Sequence, residues 1–238
     1  CQLMESSLIF RTFLLLASQL FIVFAICLLV IKRARLASEA GDTVLGVSFT
    51  RESNSSGELD LQPTEASRGL QALTIVCICS MLAMVLFSHS SLTAGLLTMT
   101  TTSVTLGPVL GMMMLNMDEN DGLRALQLTL LITFGAAVIG MYSGIDFSGL
   151  GIYLCIALGI LIICRLIMLF TSFASEQRRV IAMIGALIFA FFLLYDFYRL
   201  AHLDEQGIND WQTALHIAIS LYLDIINLLL ELLEAMDS

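Results

Sequence analysis

Residues Ala214 to Leu233 read ALHIAISLYLDIINLLLELL. The run is apolar and, at about 20 residues, long enough to cross a bilayer. It nevertheless carries His216, Ser220, Asp224, Asn227 and Glu231. At 100° per residue these five fall within an arc of roughly 80°, spread over about 22 Å of helix axis. Such a stripe cannot face lipid, because an ionisable side chain at bilayer depth costs at least ~2.5 kcal/mol. It must face protein, water or an ion, so the rest of the chain is expected to surround this helix.

Composition supports a membrane setting. Hydrophobic residues make up 58% of the 238 and charged residues 13%, well under the roughly 25% charged of soluble domains. Two prolines, sixteen glycines and apolar runs of ~20 residues favour spanning helices over a barrel, whose strands alternate over roughly ten residues. Hydropathy divides the chain into seven spans: Leu8 to Ile31, Leu70 to Phe87, Leu92 to Leu115, Leu123 to Tyr142, Phe147 to Phe170, Val180 to Leu200 and Ala214 to Leu233. The expected fold is an all-α integral membrane protein, a single domain over residues 1–238, with six transmembrane helices around a central seventh. The first run is too long for a signal-peptide core and lacks a small-x-small cleavage site followed by a soluble domain, so it is kept as a span.

Between spans one and two, residues 32–69 form a long polar loop of 38 residues, expected to lack fixed structure. Asn54-Ser55-Ser56 is a glycosylation sequon, meaningful only if this loop is lumenal. Lys32, Arg33, Arg35, Arg51, Arg68, Arg124, Arg178 and Arg179 fall on one side of a seven-span topology, against Arg11 and Arg199. The positive-inside rule makes that side cytosolic, whereas the sequon argues the reverse.

A formal charge of −9 and a single lysine, Lys32, exclude a nucleic-acid surface, which needs clustered cations. Cys27, Cys77, Cys79, Cys155 and Cys164 lie inside apolar runs, so no disulfide framework is expected. Cys77 and Cys79 point about 200° apart on a helix and read as packing residues rather than a metal clamp. His202 and His216 lack paired ligand spacing, so zinc is not expected; His216 could add proton sensitivity to the stripe.

In span three, Thr98, Thr101, Thr102 and Thr105 share a face, followed by Gly107-Pro108. Either the hydroxyls bond back to the preceding turn and Pro108 kinks the helix, or they line a wet path. Arg165, near the end of span five, is expected to snorkel to the boundary beside Arg178 and Arg179. Asp204, Glu205 and Asp210 in the last connection either concentrate cations at a pore mouth or are simply solvated.

Asp196 lies near the end of span six and Asp224 near the middle of span seven. Taking 201–213 as the connection, they sit five and eleven residues from it, so their depths differ by several residues. If they meet, two carboxyls in low dielectric share a proton, giving a pH-sensitive latch; deprotonated, they offer hard oxygens suited to Ca²⁺. The alternative is that Asp196 pairs with Arg199 one turn on and that Asp224 bonds a neighbouring helix.

At these residues the chain resembles the Bax inhibitor-1 (transmembrane Bax inhibitor motif, or Lifeguard) family. The resemblance is carried by Gly185-Ala186-Leu187-Ile188-Phe189 leading to Leu194-Tyr195-Asp196, and by Ser220-Leu221-Tyr222-Leu223-Asp224-Ile225-Ile226-Asn227-Leu228. Leu16-Ala17-Ser18-Gln19-Leu20, Thr105-Leu106-Gly107-Pro108 and Asp146-Phe147-Ser148 add to it. The resemblance implies seven spans with the last at the centre, and a pH-dependent Ca²⁺ leak gated by Asp196 and Asp224. It also implies an endoplasmic reticulum or Golgi-type membrane, or the plasma membrane for a bacterial member, and restraint of cell death. Ca²⁺ enters as the transported ion and no cofactor is expected.

Three departures stand out. Where some relatives carry basic residues at the end of span two, this chain has Phe87-Ser88-His89-Ser90-Ser91; the usual Asp-Thr of span six is Asp196-Phe197; and the first loop is long, while Glu231, Glu234 and Asp237 replace a basic tail. Without an arginine latch, His89 or Arg199 must substitute, or the gate closes by shared protonation alone. The pattern fits a divergent member, as in the seven-span proteins of large DNA viruses such as cytomegaloviruses.

Two function classes follow. One is a leak channel whose path runs along Asp196, Asp224, His216, Ser220, Asn227, Glu231 and Arg199, with lipid, Ca²⁺ and protons as its partners. The other is a non-conducting interaction protein that restrains apoptosis by binding cell-death regulatory proteins through its loops. An intramembrane enzyme is disfavoured, because the Gly-x-Ser-x-Gly, His-Glu-x-x-His and Gly-x-Gly-Asp patterns are all missing.

Overall fold

The computed structural model describes residues 7–44, 46–53, 59–63, 68–87, 91–115, 117, 119–171 and 174–236. Among these are seven helices: α1 Leu8–Ala40, α2 Arg68–Phe87, α3 Leu92–Leu115, α4 Glu119–Tyr142, α5 Leu150–Phe170, α6 Ser175–Glu205 and α7 Trp211–Met236. Each is long and apolar enough to cross a membrane. Large apolar side chains turn outward along them, as at Phe21 (74% exposed), Ile152 (70%) and Phe170 (87%). That pattern suits a lipid solvent, which removes the penalty water would impose. The helix expected at the centre, α7, is the most enclosed, with 67% of its apolar window buried.

The long polar loop holds more order than its composition suggests. Helix α1 runs nine residues past Ile31 to Ala40, and strands β1 (Phe49–Ser53) and β2 (Leu59–Pro63) pair antiparallel, Phe49 opposite Pro63 and Ser53 opposite Leu59. The alternation Leu59-Asp60-Leu61-Gln62 is the period-two signal of a strand. The sequon at Asn54 lies outside the described residues.

The chain divides into two compact units. In the unit Leu14–Glu119, α3 lies close against α1 through Gly107 and Gly111. A Cβ at Gly107 would sit 2.7 Å from the Ile26 Cβ, and one at Gly111 would sit 3.1 Å from the Cys27 carbonyl. Two glycines four apart let backbones approach in a setting where water does not drive helices together. Ala34, Val47, Met112 and Leu115 form a small core at one end of this unit.

The second unit comprises Cys1–Phe13 and Asn120–Ser238. Here α7 packs antiparallel along α6 and α5 packs against α6. A short connection, 206–210, joins α6 to α7. Within it Gly207 adopts φ 77°, a left-handed conformation that glycine takes without steric cost as a helix ends. The start of α1 ties this end down: Arg11 donates to the Asn209 carbonyl at 2.7 Å, its guanidinium lies 5.0 Å from the centre of the Trp211 ring, and Phe13 stacks on Phe197.

Helix α4 approaches α6 at Gly140, where a Cβ would lie 2.6 Å from the Leu194 carbonyl, whereas Gly135 on the same helix faces open space. Gly140→Val therefore forces the helices apart and should cost about 1–3 kcal/mol, while Gly135→Ala should not destabilise. Thermal unfolding of the detergent-solubilised protein checks this, with a fall of about 2–4 °C expected per kcal/mol for Gly140→Val only.

Candidate functional site

Helix α6 continues to Glu205 and α7 begins at Trp211, so the connection is shorter than the 201–213 suggested by hydropathy. Asp196 then lies nine residues before the end of α6, and Asp224 thirteen after the start of α7. The offset falls to about one turn, roughly 6 Å of rise, which the turn geometry absorbs. The two carboxyls approach within hydrogen-bonding reach of each other. Both are buried, at 6% and 8% exposed. A hydrogen bond between carboxyls requires a proton on one of them, because carboxylates only accept. The Asp224 Oδ2 is buried and has no hydrogen-bond partner among the described residues.

Beside the pair lies a cavity of about 490 Å³ between α5, α6 and α7, lined among others by Gly151, Cys155, Tyr195, Asp196, Ser220 and Asp224. Gly151 makes room for it: a Cβ there would come 3.0 Å from the Tyr195 ring. At the loop end of the cavity is Ser148. Its backbone N–H donates to Asp146 Oδ1 at 2.8 Å, and the Tyr198 hydroxyl donates to the same oxygen at 2.8 Å. The backbone N–H and the side chain of Ser148, followed by the Tyr198 hydroxyl, hold the Asp146 carboxyl below its ordinary titration range.

The rest of the polar stripe divides. Ser220 lines the cavity with Asp224. His216 lies two turns away and bonds Gln212 through Nε2 at 3.1 Å. Asn227 is half-buried and hydrogen-bonds to none of the described residues. Glu231 is held in an ion pair by Arg165, whose Nη1 also bonds Glu234 at 2.6 Å. Gly185 opens the space for Glu231, since a Cβ at that position would lie 2.5 Å from its Cδ. Arg199 is exposed and bridges no carboxylate among the described residues, so Asp196 takes Asp224 as its partner instead.

Two expectations need correcting. Arg165 does not snorkel towards Arg178 and Arg179; it reaches the two acids at the end of α7, which neutralise it where like charges would not. This pairing was missed at the sequence level, although the one charged residue inside α5 and two acids three apart on α7 signalled it. The acidic connection is also more than a solvated loop. Asp204 accepts from the Ile9 N–H at the start of α1. Asp210 accepts the Thr213 N–H and hydroxyl, each at 2.8 Å, as an N-cap of α7.

In the other unit the hydroxyls of Thr98, Thr101, Thr102 and Thr105 bond back to the carbonyls four residues earlier, at 2.8–2.9 Å. Ser80 reaches Thr102 and Thr105, while Gln19 joins Thr100 and Ser103. Thr102 and Thr105 thus bond across helices, while Thr98 and Thr101 bond back within α3, as the first of the two readings expects. Cys77 is buried and Cys79 exposed, as their spacing requires. His89, a candidate latch, lies outside the described residues.

Two tests follow from these contacts. Removing the Asp210 cap (Asp210→Ala) should cost about 1 kcal/mol near neutral pH. Bonds from Thr213 depress the Asp210 carboxyl, so the cap's contribution is full above its unfolded value near 4 and lost as pH falls through the lower folded value. Wild-type and variant stabilities, measured by denaturation across pH, should therefore converge once pH has fallen through that lower value. Replacing Arg165 by Met strands two carboxylates and should destabilise by about 1–3 kcal/mol, reduced from the cost of a fully buried pair by partial exposure. Glu234→Gln, which leaves the Arg165–Glu231 pair, should cost less in the same assay.

The family described as "Inhibitor of apoptosis-promoting Bax1" matches residues 5–238. Among curated proteins the chain is similar to the "Golgi anti-apoptotic protein" of vaccinia virus (strain Lister), 34% identical over 120 residues, 50% of this chain and 48% of that protein. It is also similar to mouse "Protein lifeguard 4", 34% identical over 116 residues, 49% of this chain and 46% of that protein. An "Uncharacterized protein" of Helicobacter pylori (strain J99) is 30% identical over 131 residues, 55% of this chain and 54% of that protein. The chain thus spans about half the length of the curated relatives it matches.

Proposed function

The chain belongs to the family of inhibitors of apoptosis-promoting Bax1, and from that premise we propose that it restrains cell death from an intracellular, Golgi-type membrane by acting as a proton-gated Ca²⁺ leak. The name of the vaccinia relative, a Golgi anti-apoptotic protein, supports the restraint of apoptosis and the compartment. The leak rests on one observation: two buried carboxyls from adjacent helices, within hydrogen-bonding reach of each other beside a cavity.

The gating direction follows from that proximity. With one proton the pair draws α6 and α7 together. When the proton leaves, two unit charges ~4 Å apart repel by about 4 kcal/mol at an effective dielectric near 20, enough to shift a two-state equilibrium by roughly a thousandfold. Rising pH opens the leak and falling pH closes it. The titratable and charged groups near the pair are Tyr195 and Arg199 from α6, Cys155 from α5, and His216 on α7 itself; with Arg199 unbridged, protonation does the closing. The site offers Ca²⁺ two carboxyls and the hydroxyls of Ser148, Tyr195 and Ser220, short of the 6–8 oxygens Ca²⁺ prefers. An ion there keeps much of its water, which suits passage rather than storage.

Ca²⁺ entry into dye-loaded liposomes bearing the purified protein, followed from acid to alkaline pH, tests this reading. The wild type should leak more as pH rises; Asp196→Asn and Asp224→Asn should flatten that dependence. Wild-type pH profiles from both variants would defeat the dyad gate. Absence of flux from a folded wild type would favour an interaction protein instead.

A further inference from the structure

The carboxyl pair has a charge problem that its own bond does not solve. One shared proton leaves the pair with a net charge of −1 at bilayer depth, where an ion without a counter-charge is expensive. Arg199 acts on Asp196 only through space, from an exposed position and without a salt bridge among the described residues, so it offsets that charge in part. The Asp224 Oδ2 is buried and accepts no N–H or hydroxyl hydrogen bond among the described residues, and Asp224 lines the cavity. A group that enters there and donates hydrogen bonds while carrying positive charge satisfies both deficits.

The cavity's walls narrow the choice. Ile152, Phe192 and Leu223 are apolar, with Ser148, Ser220 and Tyr195 as the neutral polar points. A volume of about 490 Å³ falls within the ~300–1,000 Å³ of small-molecule sites. A primary ammonium has three N–H donors and no acceptor, which the Asp224 Oδ2, Asp196 and a hydroxyl can meet. An alkyl chain attached to it matches the apolar walls. Ile152 and Cys155 on α5 are exposed, so the cavity is open on a side whose apolar residues suit lipid, the phase in which such an amine dissolves.

We propose that the α5–α6–α7 cavity is a binding site for a membrane-soluble primary amine, its ammonium on the Asp196–Asp224 pair and its chain against Ile152, Phe192 and Leu223. Binding does not require that the chain conduct Ca²⁺. The leak and the amine site can therefore fail separately: amine protection without flux removes the leak, and proton-gated flux without amine protection removes the site.

Cys155 lines the cavity and is exposed, while Cys79, exposed in the other unit, serves as an internal control. The full chain is reconstituted in lipid nanodiscs, and maleimide alkylation of each cysteine is followed by peptide mass spectrometry with dodecylamine or dodecanol. At an amine concentration ten times its dissociation constant, alkylation of Cys155 should slow about tenfold, as the fraction of free site dictates, with Cys79 unchanged. Dodecanol, with the same chain and no charge, should leave both rates alone. Asp224→Asn should lose the protection, and so should Ile152→Trp, which fills the cavity while keeping both carboxyls; each variant is compared with its own amine-free rate. Equal protection by dodecanol, retained protection in Asp224→Asn, or no slowing in the folded wild type would each overturn the proposal.

Discussion

The close approach of Asp196 to Asp224 is the constraint that the C-terminal unit is arranged around. It exists only while α6 and α7 hold one register, and contacts at both ends of α7 set that register. At one end, Gly207 closes α6, Asp210 caps α7, and Arg11 from the start of α1 holds Asn209 and Trp211. Towards the other, Arg165 of α5 grips Glu231 and Glu234. Asp224 lies between them, about 20 Å from the first anchor and about 10 Å from the second along the helix axis. A helix pinned at both ends resists sliding. In the proposed gate, loss of the shared proton is met by local rotation or separation at the pair.

The two units satisfy buried polar groups in different ways. In Leu14–Glu119 the polar side chains inside the helices are neutral: Gln19, Ser80, Thr102, Ser103 and Thr105 bond to one another and to the preceding turn. Neutral hydrogen bonds of this kind contribute about 1 kcal/mol each and do not change with pH. Charge inside helices is concentrated in the other unit, in the carboxyl pair and the Arg165 cluster. Among the described residues, the buried charged side chains thus lie on α6 and α7, while the buried polar ones joining the helices of Leu14–Glu119 are neutral.

How much of this could be read in advance depended on what each signal measures. Hydropathy found all seven helices and matched α3 from Leu92 to Leu115, because there the lipid boundary and the last backbone hydrogen bond coincide. It stopped short on α6, which runs five residues further at each end than Val180 to Leu200, because polar residues continue a helix after the bilayer ends. That shortfall is why contact between Asp196 and Asp224 stayed open: their relative depth depends on where α6 and α7 meet, a backbone property that hydropathy does not report. The stripe on α7 was legible from its angular spacing, but its partners were not. Arg165 and Glu231 are 66 residues apart, and a nearest-boundary argument sent the arginine the wrong way. The strands escaped because five residues of alternating character in a polar loop carry little hydropathy signal.

The cavity sits within this fixed frame, whose chemistry leaves the carboxyl pair as the proton-responsive element of the proposed gate. At the loop end, Asp146 accepts bonds from Ser148 and Tyr198 that keep its carboxyl ionised well into the acid range. That anchor ties the segment before α5 to α6 throughout the physiological pH range. Farther along, Arg165 ties α5 to α7 with a guanidinium that stays protonated under the same conditions. Between these two constant ties lies the carboxyl pair, whose bond needs a proton. A proton brings charge and no volume, so the cavity beside the pair stays available. An alkylammonium brings charge and volume together, so it would satisfy the same carboxyls while filling the space between the helices. The proton makes the pair's bond and leaves a net charge of −1, which the proposed ammonium balances while filling the space, a selectivity set by the apolar walls rather than by the carboxyls themselves.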